Sequence, residues 1–309
     1  MQGRTMGTHY NIKYAPAHVP AATIQNRVDH ILKKFDDTMS NWSPNSWVSQ
    51  FNKSANGIVN IPENAYESLS LSVELFKHSD GKFDMTVSPL IELWGFGYNQ
   101  KKKIPSDKDI KTCLEKIGTD KLQINFQEMK ISKKYSETRI NCSATAKGHG
   151  VDLIAKVLEE EFKIEYYLVE IGGEVRATSK PNGKAWNIGI PIPKSKNNQE
   201  LQLIANLKNK SMATSGGYHN FFEMNGKSYQ HILNAKTGYP IQHSLCSVSI
   251  IAPSCRLADG LATTCLILGK TEGINLLKKY PNCSALFIKR LENGSFENTF
   301  LQGFKQLTQ

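Results

Sequence analysis

Apolar positions along this chain change period several times, and each change marks an element. Residues 8–15 alternate apolar and polar, as a half-buried strand does. Ala21–Met39 then carries Ile24, Val28, Ile31, Leu32 and Phe35 on one stripe, the spacing of an amphipathic helix. Asn41-Trp42-Ser43-Pro44-Asn45-Ser46 is a loop, because Pro44 limits any helix before it. A second helix is predicted over 64–78 and is ended by Asp80-Gly81. Residues 81–94 carry Phe83-Asp84 and Ser88-Pro89, and 95–103 form a loop rich in Gly and Lys. A short helix over 107–117 and a hairpin over 122–133 follow.

In the second half, small residues over 140–150 read as a loop opening a helix that runs to about Phe162. A β run over 166–178 is interrupted by Gly172-Gly173. Further strands are predicted at 186–192, 201–207, 221–224, 228–233 and 247–252, the last feeding a helix that starts near Arg256. Strands at 285–290 and 296–301 close the chain, and the polar stretch 194–199 reads as a surface loop. Strands and helices mix without a regular βαβ period, so the predicted class is α+β rather than doubly wound α/β. There is no internal repeat and no clean boundary. The expectation is one domain over 1–309, or two intimately packed α/β lobes.

Composition narrows this picture only modestly. A chain of 309 residues with 39% hydrophobic and 21% charged residues has enough apolar surface for a sizeable core. No apolar run approaches the roughly 18 residues of a membrane-spanning helix. The net charge of +10 suits an anionic partner. The lysines are scattered, however, and no arginine-rich stripe with interleaved aromatics is present, so no nucleic-acid site is expected. The six cysteines form no CxxC pair and have no zinc spacing. The first residues carry no signal peptide; the protein is cytosolic or its targeting segment is absent from these residues.

Five stretches could carry chemistry. In Asn141-Cys142-Ser143-Ala144-Thr145-Ala146-Lys147-Gly148, small residues entering a helix expose amides that favour phosphate, and Lys147 adds a point charge. Gly172-Gly173 marks either a bulge or a close approach by a ligand, and Glu174 and Arg176 read as a surface pair. Met212-Ala213-Thr214-Ser215-Gly216-Gly217-Tyr218 reads as a turn after a strand, presenting Thr214 and Ser215 to a diphosphate or ribose, or as a plain β-turn. His231 is placed on a strand running into a turn at Thr237-Gly238, and is either a base or a structural histidine. Asp259 and Thr263 lie four residues apart on one helix face. That pair fits a Mg²⁺ shell completed by carbonyls, waters and phosphates; alternatively Asp259 answers a helix dipole. There is no P-loop and no GxSxG serine elbow.

In their order these motifs resemble the FAD:protein FMN transferase family, also called the ApbE family. The likeness begins at Thr5-Met6-Gly7-Thr8 and continues through Met39-Ser40-Asn41-Trp42 and Phe51-Asn52. It runs on through Gly81-Lys82-Phe83-Asp84-Met85-Thr86-Val87-Ser88-Pro89 and Ala146-Lys147-Gly148-His149-Gly150-Val151-Asp152. Ile171-Gly172-Gly173-Glu174, Ala213-Thr214-Ser215-Gly216, His231 with Thr237-Gly238, and Ala258-Asp259-Gly260 complete it. The resemblance implies an ApbE-like, T-fold-related α+β architecture of mixed sheets and packed helices. It implies FAD as substrate, Mg²⁺, and attack on the FAD pyrophosphate by a Thr or Ser hydroxyl of a target flavoprotein, releasing AMP. That target would include subunits of membrane redox complexes.

Carried over by position, Met6, Trp42, Phe83 and Asp84 would lie against the flavin or its ribityl chain. Lys147, Gly172, Gly173, Thr214 and Ser215 would touch the dinucleotide. The Ala144 carbonyl, Asp259 and Thr263 would hold Mg²⁺, and His231 would be the base. The family usually has Asp where this chain has Asn141 and Asn234, which keep the size and lose the charge. FAD hydrolysis to FMN and AMP, and FAD binding without catalysis, are the alternatives. The resemblance also implies export, to the periplasm or as a membrane-anchored lipoprotein.

Overall fold

The computed structural model describes residues 1–55, 57–97, 101–193, 200–217, 221–224 and 226–308. The surface loop expected at 194–199, part of the loop expected at 95–103, and Tyr218 lie outside the described residues. From the N-terminus come β1 (Gln2–Thr5), β2 (Thr8–Tyr14), α1 (Ala21–Met39), α2 (Trp47–Lys53), β3 (Val59–Asn60) and α3 (Glu63–His78). Next are α4 (Ser88–Leu93), α5 (Asp107–Leu114), β4 (Leu122–Asn125), β5 (Lys130–Lys133), α6 (Ser143–Glu160), β6 (Tyr167–Ile171) and β7 (Glu174–Ala177). Then come β8 (Trp186–Pro191), β9 (Leu201–Leu207), β10 (Lys210–Gly216), β11 (Phe221–Met224), β12 (Lys227–Gln230) and β13 (Leu245–Ala252). α7 (Cys255–Leu277), broken at Gly269, β14 (Ser284–Arg290) and β15 (Phe296–Leu301) end the chain. The class is α+β, as the irregular order of elements predicts.

Two compact units divide these elements. The first holds Met1–Asp36, Thr145–Gly216 and Ser244–Gln309. Its frame is one sheet in the order β1-β2-β6-β7-β10-β13-β14-β15, antiparallel at every pairing. One face packs Tyr10, Ile12 and Val169 against Val28 of α1 and Val151 and Ile154 of α6. The other packs Val175, Met212 and Leu286 against Ile190, Ala205 and Leu207 of the β8-β9 hairpin. Both faces of the central strands are therefore covered. This is why β13 is buried at seven of its eight positions and reads as an apolar run rather than an alternation. Truncating a fully buried side chain such as Phe287 there is worth about 3–5 kcal/mol.

The second unit holds Asp37–Ala144 and Gly217–His243. It contains the sheet β3-β5-β4, the ribbon β11-β12 and helices α2 to α5. Trp94, Phe96, Ile110, Phe222, Tyr229 and Leu233 form a core there. Lys133 is buried, which together with Arg139 lowers its pKa, and it donates to the carbonyls of Phe51, Asn52, Ser136 and Thr138, at 2.9–3.3 Å.

Several expectations are corrected. Helix α6 starts at Ser143, so most of 140–150 is helix rather than loop. The side-chain oxygen of Asn141 accepts from the Ser143 amide at 2.9 Å, which starts the helix early. The glycines within it serve close packing instead. Residues 212–216 are strand, not turn, because both neighbours β7 and β13 pair with them or with the residues just before. The segment Gly172-Gly173 is neither bulge nor strand. It is a two-residue hairpin turn with φ of 58° and 102°, a geometry that favours glycine. Helix α5 stops at Leu114, and β1, α2, β3 and α4 are additions to the reading.

Candidate active site

In the first unit, the sheet edge and the helices converge at one end. Met6-Gly7 turns β1 into β2 with φ of 48° and 72°, and Gly172-Gly173 makes the matching turn between β6 and β7. The turns adjoin: the Gly172 amide donates to the carbonyl of His9 at 3.1 Å. A Cβ on Gly150 would come within 2.7 Å of the Met6 methyl. The Met6 side chain therefore lies over the early part of α6, beside the glycine turn.

Alternation then decides which side chains reach the helices. Glu174 and Arg176 share the sheet face that α6 covers, whereas Val175 and Ala177 share the other. Glu174 is 2% exposed and accepts from Lys147 of α6. Arg176 donates to Asp152 of α6 at 3.0 Å and approaches Glu159. The expected surface pair between Glu174 and Arg176 is thus wrong. Two acid–base pairs link strand to helix instead, and the complementary order Lys147…Asp152 against Glu174…Arg176 was the available signal.

Helix α7 enters the same cluster. Ser254 caps it, and the Asp152 carboxylate accepts from the amides of Cys255 and Arg256 at 3.0 and 2.9 Å. Those are orphan donors of a first turn, so Asp152 answers both the amides and the dipole. Asp259, 3% exposed, accepts through Oδ2 from the Gly148 amide at 3.0 Å. One turn on, Thr263 Oγ1 shares a hydrogen bond of 2.9 Å with Ser215 Oγ. Thr214 points through the opposite face, bonded to Ser249 at 2.8 Å. The structure therefore joins Ser215 to Thr263 and separates Thr214 from both.

The electrostatics follow from burial. Removal from water pushes the Asp259 carboxyl up to about 8, with the Glu174 charge adding to the effect and Lys147 opposing it. Burial likewise raises Glu174, against the pull of Lys147. For Lys147 burial alone would favour the neutral amine, but the Glu174 and Asp259 carboxylates outweigh it and keep the ammonium. Oε2 of Glu174 is buried with no hydrogen-bond partner. The donor set of Asp259 and Thr263 is hard oxygen, and the surplus acid beside it is what a divalent cation neutralises. The residues present fit Mg²⁺. Ala144 is the second residue of α6, and the Gly148 amide, the helix-ladder donor to its carbonyl, donates to Asp259 instead, which leaves that carbonyl available. Among the described residues no cluster of three His, Cys, Asp or Glu side chains forms a metal cage. A site made from one carboxylate, one hydroxyl and a carbonyl would not require one.

The second unit carries the remaining residues. His231 lies just past the end of β12 rather than on a strand, with its ring 6.4 Å from that of Phe96. The turn after it is rigid. Asn234 Oδ1 accepts from the amides of Lys236 and Thr237 at 3.0 and 3.2 Å, and Trp94 Nε1 donates to the Gly238 carbonyl at 2.8 Å. Asp84 is an internal node: Oδ1 accepts from the amide and hydroxyl of Thr86 and the hydroxyl of Thr119, and Oδ2 from the Thr119 amide. Burial raises its carboxyl while those four donors oppose the rise. Phe83 beside it is 4% exposed. Trp42, in contrast, is 60% exposed on a loop tied by Ser40 and Ser46. An exposed indole on a fixed loop is a stacking platform. Asn52 was missed as a positioning residue. Its side chain accepts from the Ile140 amide and donates to the Ile140 carbonyl, at 2.8 and 2.9 Å, fixing the chain just before Asn141.

An antiparallel α+β frame in which a lysine pairs with one buried carboxylate beside a second at a helix crossing defines a polar site suited to an anionic ligand. Residues 6–287 match the family model described as the ApbE family, and the chain belongs to that family. A Haemophilus influenzae protein named FAD:protein FMN transferase is 35% identical over 318 residues, spanning all of this chain and 91% of that protein. Two solved structures are also similar. The flavin transferase ApbE of Vibrio cholerae aligns with a TM-score of 0.88 at 32% identity, over 99% of this chain and 98% of that one. The apo form of the Pseudomonas stutzeri flavinyl transferase ApbE gives 0.88 and 32%, over 99% and 95%.

Proposed function

We propose that this enzyme is an FAD:protein FMN transferase that uses Mg²⁺ and a Thr or Ser hydroxyl of its acceptor. The observation that carries the proposal is the Asp259 carboxylate, buried, held by the Gly148 amide and one turn from Thr263, beside Lys147. The names of its relatives support the group transferred.

In this reading the acceptor hydroxyl oxygen attacks the phosphorus on the riboflavin side of FAD. The bond from that phosphorus to the bridging oxygen breaks, and AMP leaves with that oxygen. The hydroxyl proton passes to His231, because a hydroxyl at its free pKa is a weak nucleophile. Asp259, Thr263 and the Ala144 carbonyl would hold Mg²⁺, with Ser215, bonded to Thr263, orienting its hydroxyl. Bound Mg²⁺ supplies Lewis-acid stabilisation of the charge that develops on the diphosphate. By the sequence resemblance, Lys147 and the turn at Gly172-Gly173 would contact the dinucleotide, and Met6, Trp42, Phe83 and Asp84 the flavin or its ribityl chain. Thr214 is bonded to Ser249 on the other face of the sheet from Thr263. The acceptor is a flavoprotein, with subunits of membrane redox complexes the favoured class. Export to the periplasm or a lipoprotein anchor is part of the proposal and rests on the sequence resemblance. Among the described residues no helix is long and apolar enough to cross a membrane.

The test is intact-mass spectrometry of an acceptor flavoprotein domain incubated with the enzyme, FAD and Mg²⁺. A gain of one FMN unit, abolished by EDTA and by Thr→Ala at the acceptor position, is expected. Conversion of FAD to free FMN and AMP with the acceptor unchanged would make the enzyme a hydrolase. Intact bound FAD with the acceptor unchanged would make it a binding protein.

A further inference from the structure

We infer that Glu174 couples FAD binding to the metal, by neutralising the Lys147 ammonium until a divalent ion is in place. The inference rests on the reading of Asp259 and Thr263 as metal ligands and deepens it.

Three observations carry it. Lys147 is the cation of the cluster, and its ammonium is paired to Oε1 of Glu174. Glu174 is 2% exposed, so little solvent screens its charge. Its second oxygen, Oε2, is buried and has no hydrogen-bond partner. Leaving a carboxylate oxygen bare in the interior is unfavourable, and a hydrophobic side chain would avoid the cost. A carboxylate in that position therefore needs a reason beyond folding. The two-residue turn at Gly172-Gly173 fixes that position by pairing Ile171 with Glu174 and placing the carboxylate against α6.

The charge count supplies the reason. The Lys147 ammonium is matched by the Glu174 carboxylate. A bare diphosphate approaching this cluster finds Lys147 already neutralised, so the ammonium attracts it little. A divalent cation on Asp259 would add positive charge there, and the diphosphate would then be attracted. Glu174 thus acts through Lys147 and the local field. It is a positioning and gating residue, touching neither metal nor reacting atoms. Linkage makes the effect reciprocal: FAD must tighten Mg²⁺ by the same factor that Mg²⁺ tightens FAD. The consequence is order. The enzyme avoids trapping FAD without its metal, which would occupy the site unproductively.

The experiment measures FAD affinity by flavin fluorescence, near neutral pH and at constant ionic strength, in EDTA and in saturating Mg²⁺. It compares the wild type, Glu174→Gln and Glu174→Asp, each checked for folding by circular dichroism. Mg²⁺ is expected to tighten FAD strongly in the wild type. In Glu174→Gln, affinity in EDTA should rise about tenfold while affinity in Mg²⁺ stays within about threefold, so the coupling shrinks by about a factor of ten. Glu174→Asp, which keeps the charge, should keep most of the coupling. Should Glu174→Gln not fold, Glu174→Met, of similar length and no charge, takes its place with the same expectation. Wild-type coupling with unchanged EDTA affinity in the neutral variant would overturn the inference while leaving the metal site intact. Equal loss of coupling in Glu174→Asp would also overturn it, because shape rather than charge would then be responsible. No effect of Mg²⁺ on FAD binding in the wild type would instead remove the metal reading itself.

Discussion

The amide of Gly148 donates to Oδ2 of Asp259 at 3.0 Å, so α6 and α7 cross at the carboxylate assigned to the metal. The crossing is tight. A Cβ on Gly148 would lie 2.4 Å from the Cys255 carbonyl oxygen and 2.6 Å from its carbon. Those are main-chain atoms of a helix start already fixed by Asp152, and they cannot swing aside. Gly148→Ala is therefore expected to force the helices apart, costing about 1–3 kcal/mol. Urea denaturation reads that loss, and Mg²⁺ titration should show weaker metal binding in whatever protein remains folded. Unchanged stability would mean that the two helices can separate without strain.

Asp259→Asn separates charge from shape. The amide oxygen of Asn can still accept from Gly148, so folding is expected to survive. The charged metal ligand is lost. Outer partners of metal ligands are commonly worth 10- to 100-fold, and a direct ligand is expected to exceed that, so FMN transfer should fall by more than about 100-fold. Calorimetry should show Mg²⁺ binding lost in parallel. Full transfer by Asp259→Asn, or by the wild type in EDTA, would contradict the assignment.

His231→Ala is predicted to lower FMN transfer by about 10²- to 10⁴-fold, the usual contribution of a positioned base. FAD affinity should stay within a few fold, since the ring packs near Phe96 in the aromatic core. A variant with normal turnover would take His231 out of the proton transfer.

Asn234 stands where the sequence resemblance leads one to expect Asp, and the structure shows what the side chain does. Its oxygen accepts from the amides of Lys236 and Thr237, closing the turn that follows His231. An amide oxygen performs this as well as a carboxylate. Asn234→Asp is therefore expected to change the transfer rate by less than about threefold and to leave its pH profile in place. A tenfold rise in rate would show that the missing charge acts on His231 after all.

Asn141 and Asn234 show where sequence reading reaches and where it stops. Helix α1 was legible residue by residue, because a single apolar stripe needs only local spacing. Asp259 and Thr263 were legible because four residues make one helical turn. Glu174 was misread as a surface group. Its burial depends on β7 pairing with β6 through a tight glycine turn and on α6 covering that face, both set by tertiary packing. Strand β10 was taken for a turn for the same reason: Thr, Ser and Gly favour turns locally, and cross-strand pairing on its flanks overrides them. Asn141 and Asn234 looked like losses of charge. The backbone amides that they accept from are invisible in a string of letters.

His149 gives the stability of this enzyme a dependence on acid. It is 4% exposed, lies edge-on to Phe35 with ring centroids 4.9 Å apart, and feels the charge of Arg256. Burial first, and Arg256 second, hold its pKa down at about 3, against 6.5 for an exposed imidazole. The folded state therefore keeps His149 neutral where the unfolded chain takes a proton. The stability associated with the neutral ring is fully present above about pH 6.5 and is lost as pH falls toward 3. At pH 5, linkage sets the loss at about 2 kcal/mol relative to neutral pH. A variant without a titratable ring, His149→Gln, lacks this component. The difference in unfolding free energy between wild type and variant should therefore shift by about 2 kcal/mol, against the wild type, between pH 7 and pH 5. Urea titrations at the two pH values measure it directly. An unchanged difference would mean that the histidine reaches solvent or gains an acid partner in the folded protein.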